Sequence, residues 1–149
     1  MSTIVVGLDV SRASAAALRW ATDYARLTGG TLVAVHAMLV TAALASVSVL
    51  GMPAPQPADD IDEIYRRDVE ELFAAVDPDP DWRLEFYLDD PGPAVVRAAE
   101  NAAAIVVGTR EHSGLGRLVY GSVSRYCLSH AKVPVVAVPF VAARVATTD

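Results

Sequence analysis

Apolar and polar positions fall in alternating blocks along this chain. Residues 3–9 form a continuous apolar run, Ile4-Val5-Val6-Gly7-Leu8 closed by Asp9, which predicts a strand buried on both faces. Ser11 or Ser14 is placed to cap a helix, with Ala15, Leu18, Ala21 and Ala25 on one stripe and Trp20 and Tyr24 beside it. Gly29-Gly30 stops that helix. Residues 31–38 predict a second buried strand, and residues 41–58, rich in Ala, Ser and Pro, the longest loop. Asp59 or Asp60 is then expected to cap a helix whose stripe is Ile61, Tyr65, Val69, Leu72 and Val76. Over residues 82–88, Trp82, Leu84, Phe86 and Leu88 alternate with Arg83, Glu85 and Tyr87, predicting a strand with one wetter face. Asp89-Asp90-Pro91-Gly92-Pro93 introduces a third helix running to about Asn101, since proline is tolerated in a first turn. Residues 104–108 predict the fourth strand, 122–131 the fourth helix and 135–138 the fifth strand. Residues 141–149 are expected to form a loose tail.

Strands alternating with helices predict an α/β fold, a five-stranded parallel sheet with helices on both faces. Without repeats or a linker, residues 1–149 are read as one domain. In such sheets a ligand binds outside the carboxyl ends of the strands, and Asp9 and Gly108 end the first and fourth strands.

Composition narrows the function classes. The net charge is −6 with 12 basic residues, and these are scattered. Nucleic acid and anionic membrane are therefore poor partners, because both require a basic face. The single cysteine, Cys127, excludes an intramolecular disulfide and fits a reducing cytoplasm. The amino terminus lacks the pattern of a signal peptide. The apolar stretch 33–52 is about long enough to span a bilayer. It opens as an ordinary strand, however, carries His36, Thr41, Ser46 and Ser48, and has no flanking basic residues nearer than Arg26 and Arg66, so it is read as strand plus loop.

The last third carries the candidate chemistry. Ala104-Ile105-Val106-Val107-Gly108-Thr109 leads into a glycine-containing loop, then Gly121-Ser122-Val123-Ser124, then Pro134-Val135-Val136-Ala137-Val138-Pro139. A helix opening on Gly-Ser offers free N–H groups and a hydroxyl to an anion. No Walker A pattern is present. The three histidines, His36, His112 and His130, have no metal-ligand spacing, and His36 is expected to be a satisfied core residue. Asp9 is suited to capping the following helix. Ser122, His112 and Asp9 lack the nucleophile-elbow pattern of a catalytic triad. Cys127 is expected to be buried rather than reactive.

Strand-Gly108, the intervening loop and Gly121-Ser122 resemble the nucleotide loop of the universal stress protein family. Val5-Val6-Gly7-Leu8-Asp9-Val10-Ser11 is similar to that family's first strand and turn, Val35-His36-Ala37 to the end of its second strand, and Val133-Pro134-Val135-Val136-Ala137-Val138 to its closing strand. The resemblance implies strand order 3-2-1-4-5 and a cytoplasmic stress-response regulator that binds ATP, with magnesium, or a related adenine nucleotide. It also implies a homodimer through the last strand, contacting at Val135, Val136 and Val138. Asp9 would hold adenine or ribose hydroxyls with Gly7 nearby, and Ala37 would meet adenine through its backbone. Gly108, with Val107 beside it, would admit ribose and phosphates, and Gly121, Ser122 and Val123 would cradle phosphates with Arg117 from the loop. No metal site of the protein's own and no catalytic residue are implied.

The departure is Glu111, a loop position where ATP-binding members carry a second glycine. A carboxylate ~5 Å from a phosphate charge costs about 3 kcal/mol at an effective dielectric near 20, a weakening on the order of a hundredfold. Pairing with Arg110 or Arg117 would relieve it. A cyclic nucleotide, with one negative charge, would suffer less. The alternative is an interaction module whose phosphate site Glu111 blocks and whose dimer surface carries function. A hydrolase with Glu111 as base is a third reading.

Overall fold

The block pattern folds into strands β1 (Thr3–Gly7), β2 (Thr31–Met38), β3 (Arg83–Leu88), β4 (Ala104–Glu111), β5 (Leu118–Val119) and β6 (Val135–Phe140), with helices α1 (Arg12–Thr28), α2 (Pro57–Ala74), α3 (Pro91–Ala98) and α4 (Ser122–His130). This computed structural model describes residues 1–38, 57–111, 118–119 and 121–140. The expected loop over 41–58, apart from the start of α2, the tail 141–149, and Arg117 with His112 lie outside the described residues.

Five strands run parallel in the order β3-β2-β1-β4-β6, the order expected for the five parallel strands. The sixth, β5, pairs antiparallel with the end of β4. Glu111 therefore does not lie in a loop. It is the last residue of β4, in register with Leu118. Two ladders hold the extension, Thr109↔Pro139 and Arg110↔Phe140 on β6, and Arg110↔Val119 on β5. Backbone bonding continues a strand through polar residues, and an apolar-run criterion stops too early there. For the same reason β6 reaches Phe140, with Pro139 accommodated on a strand that pairs along one edge among the described residues. Two helix bounds also differ from expectation. α2 starts at Pro57, so Asp59 and Asp60 lie within it, and α3 ends at Ala98 rather than near Asn101.

Side-chain alternation along each strand builds two cores. Ile4, Val6, Leu32, Ala34 and Val106 meet Ala17, Leu18 and Ala21 of α1 on one face, with Val69 of α2 and Trp82. Val5, Val33, Val35, Ile105 and Val107 meet Val95 of α3 and Cys127 of α4 on the other. A fully buried Val, Leu or Ile contributes about 1.5–3 kcal/mol, so both faces of these strands require a helical cover. Within β6, Val136 and Val138 pack on the α1 side and Val135 on the α4 side. These side chains serve the fold, and the strand's outer edge is backbone.

Ser11 caps α1, its hydroxyl accepting from the Ser14 amide at 3.2 Å. Gly29 ends the helix at φ 68°, a left-handed conformation that glycine adopts without cost.

Candidate functional site

At the carboxyl end of the sheet, between β1 and β4, lies a cleft of ≈ 380 Å³, within the size range of small-ligand sites. Its floor and walls come from the ends of β1, β2 and β4 and from the first turns of α1, α3 and α4. Gly7, Asp9, Ala37, Val107, Gly108, Gly121, Ser122 and Val123 all line it, so positions up to 116 residues apart in the chain meet around one space. Arg117 lies outside the described residues.

Asp9 is held from two directions. The preceding residue continues the β1–β2 ladder beyond the strand, the Leu8 amide donating to the Val35 carbonyl at 2.9 Å. From α1, the buried Ser14 hydroxyl accepts from the Asp9 amide at 3.0 Å and donates to the Asp9 carbonyl at 2.8 Å. The carboxylate itself is exposed. Its Oδ1 accepts the Ser11 amide at 2.7 Å, while Oδ2 has no hydrogen bond among the described residues. One oxygen thus fixes the side chain and the other is available to a hydroxyl or amine donor.

Across the cleft, Gly121 stands at the N-cap of α4 in extended conformation (φ −67°, ψ 172°), with no side-chain cap bond. The first amides of a helix have no partner within it, so those of Ser122 and Val123 belong to the positive dipole end, which favours an anion. Ser124 is turned back, donating to the Gly121 carbonyl at 3.0 Å. The arrangement suits a ligand with hydroxyls or an amine at one end and an anionic group at the other.

The two glycines that the sequence groups together differ physically. A Cβ on Gly121 would meet nothing within 4 Å. One on Gly108 would lie 2.3 Å from the Ala13 carbonyl oxygen and 2.9 Å from the Ser14 nitrogen. Gly108 is therefore required by the close approach of α1 to β4, whatever occupies the cleft. At Gly7 a Cβ would make ordinary contacts, 3.4 Å from Val95 and 3.9 Å from Val107 and Val123.

Sequence reasoning missed Ser14 as the holder of Asp9, and Pro91 and Val95 as walls. A Ser five residues after a strand-ending Asp was a detectable signal; the α3 wall was not, because only the fold brings it there. His36 is buried as expected but only half satisfied: Nδ1 bonds the Leu8 carbonyl at 2.8 Å, and Nε2 has no partner. Cys127 is wholly buried, which pushes its thiol up to about 11. Tyr87 donates to the Glu85 carboxylate, and that bond with partial burial raises the phenol's pKa. Among the described residues no helix is long and apolar enough to cross a membrane.

Comparison with known proteins adds a family. The model of the universal stress protein family matches residues 1–139. A universal stress protein from Archaeoglobus fulgidus is 26% identical, with a TM-score of 0.67 over 92% of this chain and 98% of its own. A universal stress protein in complex with cAMP is 24% identical, with a TM-score of 0.59 over 92% of this chain and 95% of its own. The Archaeoglobus fulgidus universal stress protein in complex with dAMP is 22% identical, with a TM-score of 0.62 over 92% of this chain and 97% of its own.

Proposed function

We propose that this chain, which belongs to the universal stress protein family, binds an adenine nucleotide in the cleft between β1 and β4 and acts through binding rather than turnover. The observation that carries the reading is the opposition of Asp9, with one oxygen fixed and one available, to the uncapped start of α4 across a single cleft. In this reading Oδ2 of Asp9 accepts from the ribose diol or the adenine amine, and the Ala37 backbone borders the base. The Ser122 and Val123 amides take phosphate oxygens, with Gly121 leaving room for them and Arg117 adding charge from the loop. Magnesium would enter with ATP. The complexes of two structural relatives with cAMP and dAMP support an adenine nucleotide as the class to test.

The whole chain, residues 1–149, acts in this reading as one cytoplasmic domain that dimerises along β6 and serves as a stress-response regulator. Glu111, at the end of β4, is the position at which this reading is tested.

Calorimetric titration of Mg·ATP and of cAMP into the native protein and the E111G variant tests the proposal. Micromolar binding of either nucleotide by the native protein supports it. Binding of ATP by E111G alone, with no binding of either nucleotide by the native protein, would establish the blocked-site reading, with function moved to the dimer surface. Failure of both proteins to bind either nucleotide would refute the site.

A further inference from the structure

His36 is 6% exposed, yet it lines the cleft and is one of only five buried polar residues described. Its Nδ1 lies 2.8 Å from the carbonyl oxygen of Leu8. A carbonyl only accepts, so Nδ1 carries the proton and Nε2 presents a lone pair. That lone pair is buried and unpartnered among the described residues, an unfavourable condition that an aliphatic side chain would avoid. What the imidazole supplies that an aliphatic cannot is the bond to Leu8. The ring is oriented for it: Phe86 meets it edge to face at 5.9 Å and 78°, and the Arg66 guanidinium covers Phe86 at 4.2 Å.

Leu8 is the residue before Asp9. Its amide is already taken by the Val35 carbonyl, so the His36 bond to its carbonyl completes the grip of β2 on that residue. Ser11 and Ser14 hold Asp9 only from α1, and those contacts travel with the helix. His36 provides the only side-chain hydrogen bond among the described residues that ties the peptide before Asp9 to the sheet.

We infer that His36 is a positioning residue of the cleft, acting through Leu8 to fix the direction in which Asp9 presents its carboxylate. This inference rests on the nucleotide reading above for its ligand, but its geometry can be read without one. The two polar replacements separate the ring nitrogens: the asparagine amide stands where Nδ1 was, and the glutamine amide stands where Nε2 was. The experiment compares native protein, H36N and H36Q by Mg·ATP calorimetry and by the proton–nitrogen NMR shifts of the Asp9 and Ser11 amides. We expect H36N to keep both amide shifts and its affinity within about twofold. H36Q, which loses the Leu8 bond, should move the Ser11 amide as its bond to Asp9 Oδ1 loosens, and should weaken Mg·ATP on the order of tenfold. The inference is overturned if H36Q leaves the amides in place, or if H36N shifts them as far as H36Q does. If the native protein takes up no Mg·ATP, the two amides alone decide the positioning role, and the ATP and cAMP titrations described above decide the nucleotide reading.

Discussion

Replacing Gly108 by alanine tests the claim that the fold itself requires this glycine. The new Cβ would sit 2.3 Å from the Ala13 oxygen and 2.4 Å from its carbonyl carbon, against the ~3.5 Å at which such atoms rest comfortably. The first turn of α1 would have to retreat by about 1 Å. It cannot do so freely, because Ser11 caps it and Ser14 bonds both the amide and the carbonyl of Asp9. Overpacking typically costs 1–3 kcal/mol, and a clash with helical backbone rather than a flexible side chain belongs at the upper end, about 3 kcal/mol. At roughly 2–4 °C per kcal/mol for a chain of this size, the melting temperature should fall by roughly 6–12 °C. Thermal unfolding followed by circular dichroism measures this, with G121A as the control. Gly121 has open space around the Cβ position and a φ of −67°, so G121A should melt within about 2 °C of the native protein or slightly above it. If G108A melts within the same margin, the account of α1 pressed against β4 is wrong.

Three further outcomes follow from the same geometry. S14A, which leaves the Asp9 amide and carbonyl without their partner, should lose about 1–3 kcal/mol in urea unfolding; an unchanged midpoint would show that water replaces the hydroxyl at no cost. Cys127 should resist a thiol reagent at pH 8 in the native protein and react fully in denaturant. Because its value is raised from 9.0 to about 11 on folding, stability should hold below about pH 9 and decline as the pH rises from there towards 11; rapid native labelling would contradict the burial. The proposed dimer along β6 should be weakened on the order of tenfold or more by A137K, seen in sedimentation, since a lysine on an edge strand discourages pairing. Val136 is a poorer choice because it packs inward, and a charge there would report on folding. A dimer unaffected by A137K would place the interface elsewhere.

The sequence made the parallel sheet legible because its central strands β1, β2 and β4 are buried on both faces and so appear as apolar runs, while β3 shows as an alternating one. Cap residues such as Ser11 and Gly29 announced the helix ends. The cleft positions were legible for a similar reason: strand ends and the start of α4 are fixed once the element order is known. The end of β4 was not legible. Thr109-Arg110-Glu111 is polar, and its strand character comes from two ladders formed by residues 7 to 30 positions away. Nor was the role of His36, whose partner carbonyl is 28 residues distant and leaves no trace in local pattern. Gly108 was legible as a special position, but the helix pressed against it was not, because the approach of α1 depends on packing distance, not on spacing along the chain.

The turn that carries Asp9 has a bearing on the order in which the molecule is assembled. Its bonds to Ser11 and Ser14 span two to five residues and are accessible to a short nascent segment. Its bonds to Val35 and His36 span 27 and 28 and must wait until β2 has docked. The opposite wall, at Gly121, waits longer still, for β4 and then α4. A chain interrupted midway through folding would have only the local bonds of the turn within reach, and no cleft. A molecule able to engage the site would meet it only on finished copies, and occupancy would count completed chains rather than all those present.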